Sequence, residues 1–195
     1  YGAEHFHEPL NVFVTSQSYF EWLDNLANLS KEQISVFQTQ QITDTHESAD
    51  IMFIELHPNN VLASKQFAFN IEALLSQMSS WLSKQRTLVI DMTLNAMNDQ
   101  EIHSFLHSEA ALALINSGAL NIILIQSLTK FAQLGLDKRS AGALTMINNN
   151  DHWLEVNARL VQLSEAEHID ISTLSFFSYF ASMHWPEIEY LELIN

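Results

Sequence analysis

The sequence predicts an α/β fold, a mostly parallel sheet with helices on both faces. Three observations predict it. Short apolar runs of strand length recur along the chain, at Asn11 to Thr15, Ile34 to Phe37, Ile51 to Ile54, Thr87 to Asp91 and Ile122 to Ile125. Segments with apolar residues at helical spacing separate them, and strand–helix alternation is the pattern of a parallel sheet covered on both sides. Polar or charged residues follow four of the runs: Tyr19 after the first, Glu55 to Asn59 after the third, Asp91 at the fourth and Lys130 after the fifth. Ligands of such sheets bind beyond the carboxyl ends of the strands, so these ends mark the expected site.

Composition narrows the function. The chain has 195 residues, 47% of them hydrophobic, which is enough for one domain with a sizeable core. Lys and Arg number 8 against 23 Asp and Glu, a formal net charge of −15. Such a surface repels phosphate backbones and argues against nucleic-acid binding. Cysteine is absent, which excludes a disulfide framework and fits a reducing, cytoplasmic setting. No signal-peptide pattern and no apolar run of membrane-spanning length is present. The chain opens on Tyr1 rather than Met and closes after an apolar stretch, as expected of a piece of a longer protein.

Taken in order, the first residues carry His5 and His7 in a polar stretch, read as a solvated segment rather than a metal site. After the first strand, Ser16 or Ser18 is placed to cap a helix built on Phe20, Leu23, Leu26 and Leu29. Gln38 to Ala49 reads as loop. Pro58 stops the third strand, and Phe67, Ile71, Leu74, Leu75, Met78, Trp81 and Leu82 then predict a long helix. Met92 to Asn95 is the loop after the fourth strand. Ile102, Phe105 and Leu106 seed one further helix ending near Gly118. His103 and His107 lie four apart there, with no Glu at the catalytic position between them, so an exposed helical face is expected rather than a metal grip. Ala141 to Ile147 is a sixth strand opened by Gly142, and Trp153 to Leu163 is amphipathic. Residues 1–150 are expected to form the α/β core. Residues 151–195 form a helical extension that packs on it or leads to a further domain; Pro186 breaks or kinks any helix there.

The polar residues at the strand ends match the services that pyridoxal phosphate asks of a protein. A lysine amine forms an imine with its aldehyde, and Lys130 can supply it. A carboxylate pairs with the pyridinium nitrogen, and Asp91 can supply that. Tyr19 can stack on the ring, while Ser127 and Thr129 can help hold the phosphate.

The run Tyr19, Glu55-x-x-Pro58-Asn59, Asp91-x-Thr93, Ser127-x-Thr129-Lys130 and Gly142 resembles the large domain of fold type I pyridoxal phosphate enzymes. Its wording is most similar to the cystathionine synthase and lyase group of sulfur amino acid metabolism. The resemblance implies an incomplete aminotransferase-like large domain over about residues 11–147. It implies Tyr19 on the cofactor ring, Asn59 near the phenolic oxygen, Asp91 at the pyridinium with Thr93 of the same motif also binding the cofactor, Ser127 and Thr129 at the phosphate, and Lys130 as the imine lysine. It further implies a lyase or transferase acting on an amino acid, a homodimer, and an antiparallel strand opened by Gly142. Three features depart from the pattern. Pro58 falls one place late, and LGLDKRSAG replaces a shorter G-H-S-D stretch. The interval from Asp91 to Lys130 is longer, more like that of aminotransferases and decarboxylases of the same fold. The glycine turn that holds most of the phosphate, and the small domain, lie outside this sequence.

Two other readings share the fold. One is a binding or scaffold module without catalysis, and the other is a doubly wound domain using Asp91 and Lys130 as a phosphoacceptor pair. The latter lacks the acidic pair expected after the first strand, and no G-x-G-x-x-G or P-loop pattern occurs.

Overall fold

The computed structural model describes residues 9–15, 20–29, 34–39, 49–55, 74, 76, 84–93, 100–127 and 142–166. Strands β1 (Leu10–Thr15), β2 (Ile34–Thr39), β3 (Ile51–Glu55), β4 (Arg86–Asp91), β5 (Leu120–Ser127) and β6 (Gly142–Ile147) form one sheet in the order β2-β1-β3-β4-β5-β6. The first five run parallel, and β6 pairs antiparallel with β5. The glycine-led antiparallel strand expected from the sequence is therefore present. Helices are α1 (Phe20–Ala27), α2 (Gln100–Leu106), α3 (Glu109–Asn116) and α4 (Leu154–Ala166). Among the described residues no helix is long and apolar enough to cross a membrane.

Strand burial follows position in the sheet. Every residue of β4, near the centre, is buried, Arg86, Thr87 and Asp91 included, as expected where both faces of the sheet are covered. Edge strand β6 is exposed over its first four residues. One sheet face carries Phe13, Met52, Leu88, Ile90, Leu120 and Ile122 against Leu74, Ile102, Phe105, Leu114 and Ile115 of the helical side. Residues one step along each strand point the other way. That second face presents Phe53 and Asp91, and both meet Trp22 of α1. The chain steps outward from β1 to β2 and then returns to place β3 on the other side of β1. This reversal is the switch point at which open parallel sheets leave a crevice.

The helix expected from Ile102 to Gly118 is two helices. Ser108 interrupts it with extended backbone (φ −69°, ψ 142°), and its hydroxyl oxygen accepts the Ala111 N–H of α3. A serine hydroxyl that satisfies an orphan donor makes a second helix start cheaper than continuing the first. The far end is at Gly118, as expected. Its φ of +77° places it in the left-handed region. Its N–H bonds the Ile115 carbonyl, and the Ala119 N–H bonds the Leu114 carbonyl, the paired closure of a Schellman cap. A Cβ at Gly118 would lie within 2.6 Å of the His152 Cβ, so space as well as backbone favours glycine.

The sixth strand leads into an amide ladder. Asn121, 1% exposed on β5, donates to the Thr87 hydroxyl oxygen on β4 at 3.3 Å. Asn148 donates to Asn121 Oδ1 at 2.8 Å and to Asn157 Oδ1 at 2.9 Å, and Asn157 donates to Asn150 Oδ1 at 2.8 Å. Trp153, 2% exposed, donates its indole N–H to the Gly118 carbonyl. These contacts fasten α4 to the amino-terminal end of β4 and β5, opposite the strand ends that carry Asp91 and Ser127. The same end holds Lys84, paired with Asp50. Ser16, Ser18, the stretch around Pro58, most of the long helix around Leu74, and residues 167–195 fall outside the described residues. Leu74 itself is helical and buried.

Candidate functional site

Strand β4 ends on Asp91, and register puts Glu55 of β3 and Ile125 of β5 beside it. Alternation along β5 then sets Ser127 on the same face as Asp91, at the same end of the sheet. The chain leaves β4 through Met92, whose N–H still bonds the Ile125 carbonyl. It turns at Thr93, whose hydroxyl oxygen accepts the Ser127 N–H at 3.2 Å. Asp91, Thr93 and Ser127 are thus brought together, with Thr93 bracing the ends of β4 and β5 against each other.

The Asp91 carboxylate is held at both oxygens. Oδ1 accepts the Thr93 backbone N–H at 2.8 Å. Oδ2 accepts the indole N–H of Trp22 at 2.8 Å. Trp22 reaches it by lying over Phe53 of the intervening strand, with ring centroids 5.6 Å apart and planes tilted by 40°. Asp91 is only 8% exposed. An ionised carboxylate has about four acceptor positions, so two remain after these bonds. Glu55 adds a second negative group on the adjacent strand, and both favour a cationic or proton-donating partner at this end of the sheet.

Sequence reasoning missed Trp22. It lies off the Phe20, Leu23, Leu26 and Leu29 stripe, which is where a helix turns away from a core. A large aromatic off the stripe, one helical turn after Tyr19 and just beyond a strand end, was the available signal. Of the other sequence-predicted site residues, Tyr19, Asn59, Thr129 and Lys130 lie outside the described residues. His103 and His107 are both exposed, as expected. Their rings stack with centroids 4.0 Å apart and planes 19° from parallel, and His107 Nδ1 is 2.8 Å from the His103 carbonyl. Nearly parallel rings do not aim their nitrogens at one point. Among the described residues no group of three or more His, Cys, Asp or Glu is placed to hold a metal ion.

Solved structures share this architecture. The aromatic-amino-acid aminotransferase from Burkholderia pseudomallei, covalently bound to pyridoxal phosphate, matches with a TM-score of 0.61 over 92% of this chain and 47% of its own, at 12% identity. The fold is that of the fold type I enzymes. An aminotransferase from Anaerococcus prevotii matches with a TM-score of 0.54, at 13% identity, over 83% of this chain and 43% of its own. The alanine aminotransferase from Pyrococcus furiosus gives 0.50 and 12% identity over 83% and 40%. The aminotransferase-like sheet is therefore present in part, since the chain spans less than half the length of each of these neighbours. No protein-family model matches the sequence, and a search of curated proteins finds no match.

Proposed function

We propose that this chain is the cofactor-binding core of a pyridoxal phosphate-dependent enzyme acting on an amino acid. It works within a longer polypeptide and as a homodimer. The observation that carries the reading is Asp91: a buried carboxylate at the carboxyl end of a central strand, held by two neutral donors and beside a second carboxylate. This donor set fits the pyridine-nitrogen end of pyridoxal phosphate. Its two held oxygens keep the acceptor role, because the indole N–H of Trp22 and the backbone N–H of Thr93 are uncharged donors. The fold shared with a pyridoxal phosphate-bound aminotransferase supports the same assignment.

When bound, the cofactor supplies a cationic ring that withdraws electrons from the substrate's α-carbon. Asp91 would accept the ring N–H, which favours the protonated ring. Trp22 and the Thr93 N–H hold the carboxylate at its two oxygens. Ser127 and Thr129 offer hydroxyls to the phosphate, Tyr19 covers the ring face, and Asn59 donates near the phenolic oxygen. Lys130 would hold the cofactor through Nζ and, once displaced by the substrate amine, would move the proton at the substrate's α-carbon. The motif wording from Glu55 to Lys130 favours a sulfur amino acid lyase or transferase as the subgroup. Residues 1–150 make up the core, and residues 151–195 a helical extension fastened to it at Trp153 and Asn157.

The test is optical. The full-length protein, titrated with pyridoxal phosphate, gains the near-visible absorbance of a lysine-linked cofactor, and Lys130→Ala abolishes it. Full-length protein that gains no band overturns the reading.

A further inference from the structure

We propose that Trp22 is a positioning residue that tunes Asp91 for a protonated ring nitrogen, an inference that rests on the cofactor reading above. The indole N–H only donates and cannot take a proton from the carboxyl group. The same holds for the Thr93 amide on the other oxygen. Both oxygens are therefore fixed as acceptors, at 2.8 Å each. A lysine or arginine in place of Trp22 would also fix the carboxylate, but it would neutralise the charge that a pyridinium needs. An indole orients without neutralising. Its position is set by structure around it. Trp22 stands in the first turn of α1, close after β1, and its ring lies across Phe53 on the strand between β1 and β4. The remaining acceptor directions at the carboxylate are few, because Asp91 is 8% exposed. A ring N–H would meet one of the acceptor positions that Trp22 and Thr93 leave open.

A half-buried indole favours some acceptor, so a purely packing role for Trp22 would produce the same hydrogen bond. The two roles separate when the cofactor's ring nitrogen is removed. The full-length apoprotein is titrated with pyridoxal phosphate and with its 1-deaza analogue, which carries C–H in place of the ring nitrogen. Wild type should prefer pyridoxal phosphate by about tenfold to a hundredfold, the worth of one charge-assisted hydrogen bond. In Trp22→Phe that preference should fall by about fivefold, as expected for loss of one ordinary hydrogen bond, while affinity for the deaza analogue stays near wild type. A packing role would weaken both ligands equally and leave the ratio unchanged, and that result overturns the proposal. If Trp22→Phe does not fold, replacing the indole by a benzothiophene side chain removes only the N–H and is held to the same ratio. Wild type that binds neither ligand refutes the cofactor reading itself. Wild type that binds both with an unchanged ratio in the variant refutes only the role of Trp22.

Discussion

Replacing Asp91 by Asn keeps the side chain's shape and reverses the hydrogen bonding at one of its ends. In the native structure both oxygens accept N–H groups at 2.8 Å, one from Trp22 and one from Thr93. An asparagine offers one carbonyl and one NH2. Whichever way the amide turns, one native N–H then faces another donor in a largely buried place. A buried donor deprived of its partner costs about 1–3 kcal/mol. Removing the negative charge next to Glu55 offsets part of that, so the net loss should be about 1–2 kcal/mol. The pairwise origin of the loss can be isolated. In a Trp22→Phe background the conflicting donor is gone, and the Asn carbonyl can take the Thr93 N–H unopposed. The double variant should therefore be more stable than the sum of the two single losses by about 1 kcal/mol, within the range seen for residues in contact. Urea unfolding midpoints of wild type, both single variants and the double variant give the cycle. Additive losses would refute the view that Trp22 and Asp91 are energetically joined.

Two further outcomes follow from the rest of the fold. Gly118→Ala should lower stability by about 2–4 kcal/mol, combining left-handed backbone strain with overlap on His152. About half of that should return in a His152→Gly background, read by thermal unfolding. Asn121→Leu should cost about 1–3 kcal/mol, because it deprives Asn148 of an acceptor and puts a larger apolar group beside the Thr87 hydroxyl. Hydrogen exchange should then speed up in α4 before it does in β3.

The strands were legible because each is a short run of Val, Ile, Leu and Phe, and a sheet covered on both sides needs nothing more specific. Their parallel order followed from alternation with helical periods, and the antiparallel edge from the resemblance to fold type I enzymes. Asp91 and Ser127 could be placed because strand ends in such a sheet converge. What escaped were interactions fixed by three-dimensional reach. Trp22 crosses from α1 over Phe53 to a strand not next to its own, and no spacing along the chain encodes that distance. Nor does spacing along the chain show that the Thr93 hydroxyl oxygen accepts the Ser127 N–H while its own N–H serves Asp91. The break at Ser108 was hidden because apolar periodicity runs on through Ala111 and Leu114, and only the serine followed by Glu109 marks the new start. The asparagine ladder escaped for a similar reason: Asn148 reaches back 27 positions to a buried partner on β5.

The central claim is that an amine following β5 and the Asp91 carboxylate serve one cofactor. Borohydride reduction of the full-length protein in the presence of pyridoxal phosphate fixes the cofactor to the lysine that holds it, and peptide mass spectrometry identifies that lysine. The account predicts Lys130, with Lys84 unlabelled because it stands at the opposite end of the sheet with Asp50. Labelling spread over Lys31, Lys65, Lys84 and Lys138, or none at Lys130, would contradict it.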